Sequence, residues 1–275
     1  MIRYMVLTLE SRAKLNNGIE IPYIGLGVYQ SPPGETTRRA VRYALKIGYR
    51  HIDTAQLYGN ETDVGRAVRE SGIRREEIFI TTKVWNSYQG YDSTLQACEG
   101  SLRRLGLSYV DLYLIHWPVQ GLSDDTWRAM IKLWRQGKAH AIGVSNYSIS
   151  QLRDLLQNSD IVPAVNQVEF HPFLYQQELL QYCKINRIQL EAYSPLTRAK
   201  RLNHQNIIDV AKKYEKTPAQ VLIRWILQHD IIVIPKSIHE ERIYENSQVF
   251  SFRLEPEDMK LLDSLNENLS TLFLD

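Results

Sequence analysis

Three ionisable side chains end short apolar runs of this chain, and a tyrosine follows the first of these runs. Asp53 ends YRHID, Lys83 ends IFITTK and His116 ends VDLYLIH, and Tyr58 stands five residues beyond Asp53. If these runs are parallel strands of one barrel, their carboxyl ends surround one mouth, which is where such folds carry their chemistry. We therefore expect the four side chains to lie close together.

The combination of these residue types suits proton transfer to a polarised oxygen. A phenol has an ordinary pKa near 10, and the Lys83 ammonium, oriented by the Asp53 carboxylate, is predicted to lower the pKa of Tyr58. A neutral His116 could donate a hydrogen bond to a carbonyl oxygen and orient it for attack. Each residue also has a structural interpretation. Asp53 and Lys83 could form a rim ion pair, Tyr58 could be a surface loop tyrosine, and His116 could be a core histidine.

The runs that end in these residues belong to a repeating pattern of strands and amphipathic helices. Asn17-Gly18 lies between apolar runs, which predicts an N-terminal hairpin over 6–22. Helical spacing is clear at Leu95, Cys98 and Leu102. Eight strands follow the hairpin, at 23–27, 49–53, 78–83, 110–116, 139–144, 164–170, 188–193 and 231–235.

Eight strands joined by right-handed helical crossovers close most simply into a barrel, which takes about 250 residues. The prediction is an α/β protein, a single (β/α)8 TIM barrel domain over 1–275, with extra helices near the C-terminus. Two helix patterns lie between 193 and 231, the second opened by Thr217 and Pro218 as N-cap and first helical residue. The alternative of an open dinucleotide-binding sheet has only Gly25-Leu26-Gly27 in its favour, and we interpret these glycines as tight packing.

The composition is that of a globular protein whose net charge is too small to produce a strong overall electrostatic field. The chain has 275 residues, 44% hydrophobic and 23% charged, and a formal charge of +2. Nothing in it predicts a nucleic-acid or membrane partner, and no targeting segment is visible. The histidines lack metal-ligand spacing and the two cysteines, Cys98 and Cys183, are interpreted as packing thiols, so we expect no metal. A monomer in the cytoplasm is the expectation.

The sequence resembles the aldo-keto reductase family over about residues 15–265, with all the signature blocks in family order. The blocks are HIDTAQLYGNE (51–61), TKVWN (82–86), LIHWP (114–118), GVSNYS (143–148), NQVEFHP (166–172), AYSPL (192–196) and IPKSIHEERIYEN (234–246). This resemblance implies NADPH-dependent reduction of aldehydes or ketones, and assigns roles to individual residues.

By this resemblance Tyr58 is the general acid of a catalytic tetrad, with Asp53, Lys83 and His116. The residues implied to bind the cofactor are Ser145, Asn146, Gln167, Tyr193, Ser194, Leu196, Lys236, Ser237, Arg242, Glu245 and Asn246. Those implied to line the substrate pocket are Tyr29, Trp85 and Trp117. Tyr29 departs from the family, since many relatives carry tryptophan there.

The preference for NADPH is implied by Lys236, Ser237 and Arg242, which match the block that holds the adenosine 2′-phosphate. An ammonium, a hydroxyl and a guanidinium are good partners for that dianion. Glu240 and Glu241 add negative charge beside them, so NADH stays a weaker alternative. The basic segment 197–201 could clamp phosphates or lie in solvent.

Small aldehydes, dicarbonyls or keto sugars are the expected substrates. Two other functions stay open at this point. One is a nicotinamide-binding regulatory or structural protein on the same barrel, since one fold hosts many functions. The other is oxidation of alcohols or sugars with NADP or NAD as the physiological direction.

Overall fold

The structure is a computed structural model that describes residues 7–271. The strands are β1 (Arg12–Lys14), β2 (Glu20–Pro22), β3 (Leu26–Gly27), β4 (His51–Asp53), β5 (Phe79–Val84), β6 (Val110–Ile115), β7 (Ala139–Ser145), β8 (Val165–Glu169), β9 (Gln189–Tyr193) and β10 (Ile232–Val233). The helices are α1 (Glu35–Lys46), α2 (Glu61–Glu70), α3 (Tyr91–Leu105), α4 (Ser123–Arg135), α5 (Ile149–Asn158), α6 (Gln177–Ile185), α7 (Gln205–Lys213), α8 (Pro218–Gln228), α9 (Glu240–Ser247) and α10 (Pro256–Asp263).

Strands β3 to β10 form one parallel sheet in sequence order, so each strand pairs with its neighbours along the chain. Parallel bridges Ile24–Val233 and Gly27–Lys236 join the two end strands. This closes the sheet and confirms the predicted (β/α)8 barrel. The N-terminal hairpin is confirmed as β1 and β2, whereas Val6 of the predicted range lies outside the described residues.

The strands are buried on both sides because helices cover the sheet and side chains fill its interior. Strands β5 and β6 are buried at every position. On α3, Cys98 and Leu102 are buried against the barrel, and Leu95 packs at the edge of the core. The amphipathic spacing seen in the sequence is therefore the contact face of the helix.

The barrel closes where two glycines allow close approach. A Cβ on Gly25 would lie 2.6 Å from Nδ1 of His51, and one on Gly27 would lie 2.9 Å from the carbonyl oxygen of Ile234. The interpretation of these glycines as tight packing is confirmed. Because pairing here consists of separated bridges, β3 and β10 are shorter than the predicted 23–27 and 231–235.

Both helices predicted between 193 and 231 are present, as α7 and α8. Thr217 caps α8 by accepting a hydrogen bond from the backbone of Gln220, whose side chain bonds back to Thr217. Pro218 is the first residue of the helix, as predicted. None of the helices within residues 7–271 has both the length and the apolar character needed to cross a bilayer. That 1–275 form one domain stays a prediction.

Candidate active site

Three of the four predicted catalytic residues meet around the Lys83 ammonium. Lys83 is fully buried in β5, and its Nζ lies 2.7 and 2.8 Å from the Asp53 carboxylate oxygens. It also donates to the carbonyl oxygen of Thr54 at 3.0 Å and to the Tyr58 hydroxyl at 3.4 Å. The ammonium is thus paired, oriented and in contact with the phenol, as the sequence predicted.

Tyr58 is held by a short 3-10 turn over Gln56–Tyr58, which ends at Gly59 in the left-handed conformation. The turn is anchored by the buried Asn60. Its side chain accepts from the Thr54 hydroxyl at 2.8 Å and donates to the carbonyl oxygen of Val28 at 2.9 Å. The phenol therefore projects from a loop that is tied to strands on both sides.

The expectation that Lys83 lowers the pKa of Tyr58 is wrong for this structure. Withdrawal of the phenol from solvent raises its pKa well above 10, and the negative charge of Asp53 raises it further. Desolvation of the phenolate outweighs the ammonium because Lys83 is already paired with Asp53. Tyr58 is consequently protonated at neutral pH, which is the form that a proton donor needs.

His116 follows β6 and faces the Tyr58 ring, with the ring centroids 5.6 Å apart. Burial lowers the pKa of His116 to about 3, and the charge of Lys83 adds to the effect. The imidazole is therefore neutral, which is the condition that the sequence analysis set for its orienting role. Its Nδ1 is buried, and no residue within 7–271 hydrogen-bonds to it.

Asp53, Tyr58 and His116 border one cavity of about 430 Å³ at the carboxyl end of the barrel, and Lys83 bonds to Asp53 and Tyr58 without lining the cavity itself. Tyr58 and His116 lie on its wall with the three predicted pocket aromatics, Tyr29, Trp85 and Trp117. The Tyr29 and Tyr58 ring centroids are 5.0 Å apart, and those of Trp85 and His116 are 5.1 Å apart. The cavity thus presents an acid and a neutral imidazole within an aromatic wall.

The cavity wall also carries a connected set of amide and hydroxyl groups. Asn146 adopts a positive φ of 64°, and its side chain donates to the carbonyl oxygen of His116 at 3.0 Å and to the Ser145 hydroxyl at 3.1 Å. The Tyr193 hydroxyl donates to Oδ1 of Asn146 at 2.8 Å. These contacts hold the Tyr193 ring and the Asn146 amide in place at the cavity edge.

A family profile described as Aldo/keto reductase family matches residues 24–267. The chain belongs to this family. The glyoxal reductase of Bacillus subtilis (strain 168) is 52% identical to this aldo-keto reductase over 264 residues, which cover 96% of each protein.

Solved structures agree with this membership. An aldo-keto reductase from a Medee basin deep-sea metagenome library superposes with a TM-score of 0.92 at 49% identity, covering 94% of this chain and 96% of the other. An aldo-keto reductase of Bombyx mori in complex with NADP gives a TM-score of 0.89 at 35% identity, covering 96% and 95%. The prediction of an oxidoreductase of the aldo-keto reductase type is confirmed.

The residues of this aldo-keto reductase that were predicted to bind the cofactor are not all at the cavity. Those that line it are Ser145, Asn146, Gln167, Tyr193, Ser194, Leu196 and Lys236. Ser237 is buried beside Lys236 and bonds to the backbone of His239. Arg242, Glu245 and Asn246 lie on α9, away from the cavity lining.

Two of the predicted residues on α9, Glu245 and Asn246, contribute to the packing of the protein. Glu245 accepts a hydrogen bond from the hydroxyl of Thr217, the N-cap of α8, and so links the two helices. Asn246 is buried. Arg242 is exposed. Of these three residues, Arg242 is thus the most exposed, and Glu245 is half-buried.

The basic segment 197–201 forms a tight turn that partly enters the site. Thr197, Arg198 and Ala199 all have positive φ, and Arg198 lines the cavity with its guanidinium carbon 6.0 Å from the centre of the Tyr29 ring. Arg201 instead pairs with Glu267 at 3.0 Å. One cation of the segment thus faces the cavity, and another joins the turn to the C-terminal part of the chain.

Sequence reasoning missed Glu191, a fully buried residue on β9. Its Oε2 accepts from the Gln167 amide at 2.7 Å, and the same nitrogen donates to Asp53 at 2.8 Å. The signal was present, since Glu191 stands two residues before Tyr193 and so shares its strand face. Leu57 and Gln30, which also line the cavity, had no such signal.

The residues interpreted as structural are in the core. His51 is fully buried with Nε2 3.0 Å from the Thr81 hydroxyl, and burial lowers its pKa to about 3. Cys98 and Cys183 are buried free thiols, and burial raises the pKa of each to about 12. Within residues 7–271, no group of three or more His, Cys, Asp or Glu side chains could hold a metal ion.

Proposed function

We propose that this protein reduces small aldehydes, dicarbonyls or keto sugars to alcohols, with NADPH as hydride donor and Tyr58 as proton donor. The observation that carries the proposal is the contact of the Tyr58 hydroxyl with the buried Lys83–Asp53 pair at the wall of the cavity. A protonated phenol backed by an ammonium can lose its proton to a developing alkoxide, because the ammonium stabilises the phenolate that remains.

Each residue of the tetrad has a distinct part in this proposal. Tyr58 delivers the proton to the carbonyl oxygen of the substrate. Lys83 stabilises the phenolate as it forms, and Asp53 keeps the ammonium charged and directed at the hydroxyl. His116, neutral and with its ring against Tyr58, hydrogen-bonds the carbonyl oxygen and orients it.

The cavity fits a nicotinamide cofactor. The amide nitrogen of Gln167 is engaged by Asp53 and Glu191, which leaves its amide oxygen to accept from the carboxamide of a nicotinamide. Ser145 and Asn146 would complete that contact, and Tyr193 supplies a flat ring for stacking. When bound, NADPH supplies the hydride. The Bombyx mori relative in complex with NADP supports this choice.

The phosphate end of the cofactor would meet Lys236, Ser237 and Arg242. Lys236 lines the cavity and Ser237 follows it in the chain, so an ammonium and a hydroxyl are adjacent at this part of the wall. Arg242 is exposed on that helix. Glu245 and Asn246 would contact the adenine, and Ser194 and Leu196 the pyrophosphate. NADH stays the weaker alternative. It lacks the 2′-phosphate, so the cations at this position would add nothing to its binding.

The substrate would lie between Tyr58 and the aromatic side chains Tyr29, Trp85 and Trp117. An apolar wall with a single polar anchor accepts small carbonyl compounds of varied shape. The relative named glyoxal reductase supports dicarbonyls in particular. The cytoplasmic location and the monomeric state expected from the sequence stay predictions.

The test is a carbonyl panel with methylglyoxal, an aromatic aldehyde and a keto sugar, followed by loss of NADPH absorbance. We expect turnover, and a loss of about 10²- to 10⁴-fold in kcat for Tyr58→Phe with the Kd for NADPH retained. The matched control is Tyr113→Phe, which removes a buried hydroxyl that lies outside the cavity and has no hydrogen-bond partner in the described part of the chain. Full activity of Tyr58→Phe would refute the role of the phenol.

The same experiment separates the other two functions. Tight NADPH binding without turnover on any substrate would favour a regulatory nicotinamide-binding protein. A kcat/KM for alcohols with NADP or NAD above that for carbonyls with NADPH would favour oxidation as the working direction.

A further inference from the structure

Glu191 places a second carboxyl group inside the barrel, directly beneath the site. The residue is fully buried, and the groups around it come from three strands. Gln167, its register partner on β8, donates to Oε2 at 2.7 Å, and Nε2 of His51 on β4 lies 3.6 Å from Oε1. Oε1 has no hydrogen-bond partner among the residues that the structure describes.

Among residues 7–271, no cation forms an ion pair with this carboxyl group, because Lys83 is paired with Asp53 and the neighbouring His51 is neutral. A buried carboxylate without a paired cation is costly, and such a group keeps its proton instead. Burial raises the pKa of Glu191 to about 8, and the charge of Asp53 contributes to the rise. Glu191 is thus an uncharged acid at neutral pH.

Glu191 and Asp53 together determine the orientation of the Gln167 amide. Both hydrogen atoms of its nitrogen point at carboxyl oxygens, 2.8 and 2.7 Å away. The ionised Asp53 is acceptor only, so the amide oxygen of Gln167 cannot take that place. The oxygen must face elsewhere, and Gln167 borders the cavity. Glu191 therefore supplies one of the two anchors of that orientation.

We propose that Glu191 is a positioning residue, which as an uncharged acid anchors the Gln167 amide for the nicotinamide and keeps a second negative charge away from Tyr58. The proposal rests on the proposed function, since it assigns Gln167 to the cofactor and Tyr58 to proton donation. Glu191 does not line the cavity itself, and its hydrogen-bond partner Gln167 does.

A pH dependence follows from the groups that face Glu191. These are His51 and Asp53 from β4, Lys83 from β5, and Tyr58 from the turn after β4, while β10 presents the register partner Ile232. When Glu191 ionises, its charge raises the pKa of Tyr58 further and weakens the proton donor. Carbonyl reduction should therefore slow as the pH rises through about 8.

Two variants separate the anchor from the charge. Glu191→Gln keeps an acceptor for Gln167 but cannot ionise, whereas Glu191→Leu removes the acceptor as well. The control is Glu61→Gln, a buried glutamate on α2 that pairs with Arg104 on the outer side of the barrel. Three readouts apply to all variants: infrared absorption of protonated carboxyl groups, the Kd for NADPH by fluorescence, and kcat for methylglyoxal from pH 6 to pH 10.

The expected results differ for each variant. A protonated-carboxyl band of the wild type disappears between pH 6.5 and pH 9.5 and is absent from Glu191→Gln. Glu191→Leu raises the Kd for NADPH at pH 6.5 about five- to tenfold, as expected for one buried hydrogen bond, and Glu191→Gln recovers most of the affinity. The alkaline fall in kcat near pH 8 is lost in Glu191→Gln and kept in Glu61→Gln.

Two outcomes would overturn the proposal: identical pH profiles for the wild type and Glu191→Gln, or an unchanged Kd in Glu191→Leu. A wild type without the protonated band at pH 6.5 would overturn the uncharged state. If the wild type binds no NADPH or reduces no carbonyl, the proposed function fails instead. The infrared titration then still decides the charge state of Glu191, because it requires neither cofactor nor turnover.

Discussion

The buried Lys83–Asp53 pair should be strongly coupled, so that removing both partners costs little more stability than removing one. The side chain of Lys83 is 0% and that of Asp53 3% exposed, with Nζ 2.7 and 2.8 Å from the carboxylate oxygens. Lys83→Met leaves the buried Asp53 carboxyl group without its cation, so that it must stay charged at a cost or take up a proton at a cost, and Asp53→Asn leaves the ammonium without its anion. Each single change should cost about 3–5 kcal/mol.

The double variant Lys83→Met/Asp53→Asn leaves no charge of the pair uncompensated. Its loss of unfolding free energy should be about that of one single variant, instead of the sum, which gives a coupling energy of about 3 kcal/mol or more. Activity should behave differently. All three variants should lack turnover, because the phenol has lost the ammonium or the group that holds it charged.

The assay is urea unfolding at pH 7 followed by circular dichroism, together with NADPH oxidation for each variant. The control is the same double-mutant cycle on the surface pair Arg74–Glu77, whose side chains are 72% and 42% exposed. A coupling energy below about 1 kcal/mol is expected for this pair. Losses at Lys83 and Asp53 that add within about 0.5 kcal/mol would refute the reasoning, since independent sites behave in that way. Turnover recovered in the double variant would refute the catalytic part.

Three further predictions concern stability and use the same assay. Between pH 5 and pH 8, the free energy of unfolding of Glu191→Gln should rise relative to that of the wild type by up to about 5 kcal/mol. The reason is that folded wild type keeps a proton on Glu191 in this range, whereas the unfolded chain releases it from a carboxyl of ordinary pKa 4.5. A difference that does not change with pH would contradict this. Gly65→Ala should lower the free energy of unfolding by about 3 kcal/mol or more, since its Cβ would lie 1.8 Å from the carbonyl oxygen of Leu105. Gly18→Ala, at φ +88° with open space around it, should lower it by about 1–2 kcal/mol. Equal losses for the two variants would count against the packing argument. Thr217→Ala should lower the free energy of unfolding by about 1 kcal/mol, because α8 loses its N-cap. Thr217→Ser should retain most of the wild-type stability, since serine can cap in the same way.

Much of the site could be predicted from the sequence, because burying an ionisable residue costs free energy and such residues therefore stand out in an apolar strand. Asp53, Lys83 and His116 each end such a strand, and parallel strands deliver their carboxyl ends to one mouth. The convergence of Tyr58 with them follows from the same topology, since the loop after β4 is short. Local spacing was likewise sufficient for the cap at Thr217 and for the buried face of α3.

Other features depend on groups that are distant along the chain. The pKa of Tyr58 was predicted in the wrong direction, because the sequence shows a neighbouring lysine but does not show how far the phenol is withdrawn from solvent. Glu245 could be matched to the adenine site, yet only the packing of α9 against α8 reveals its bond to Thr217. Sequence proximity carries no information about such competing partners.

The order of strands and helices, the barrel they form and the four residues at its mouth were determined by the sequence alone, because periodicity and strand ends are local properties. The tertiary structure decided the charge states. Whether Glu191 keeps its proton, whether Lys83 is shared between Asp53 and Tyr58, and which way the Gln167 amide faces all depend on burial and on partners from other strands. Electrostatic energies vary steeply with distance and solvent exclusion, and both are set only when the barrel closes.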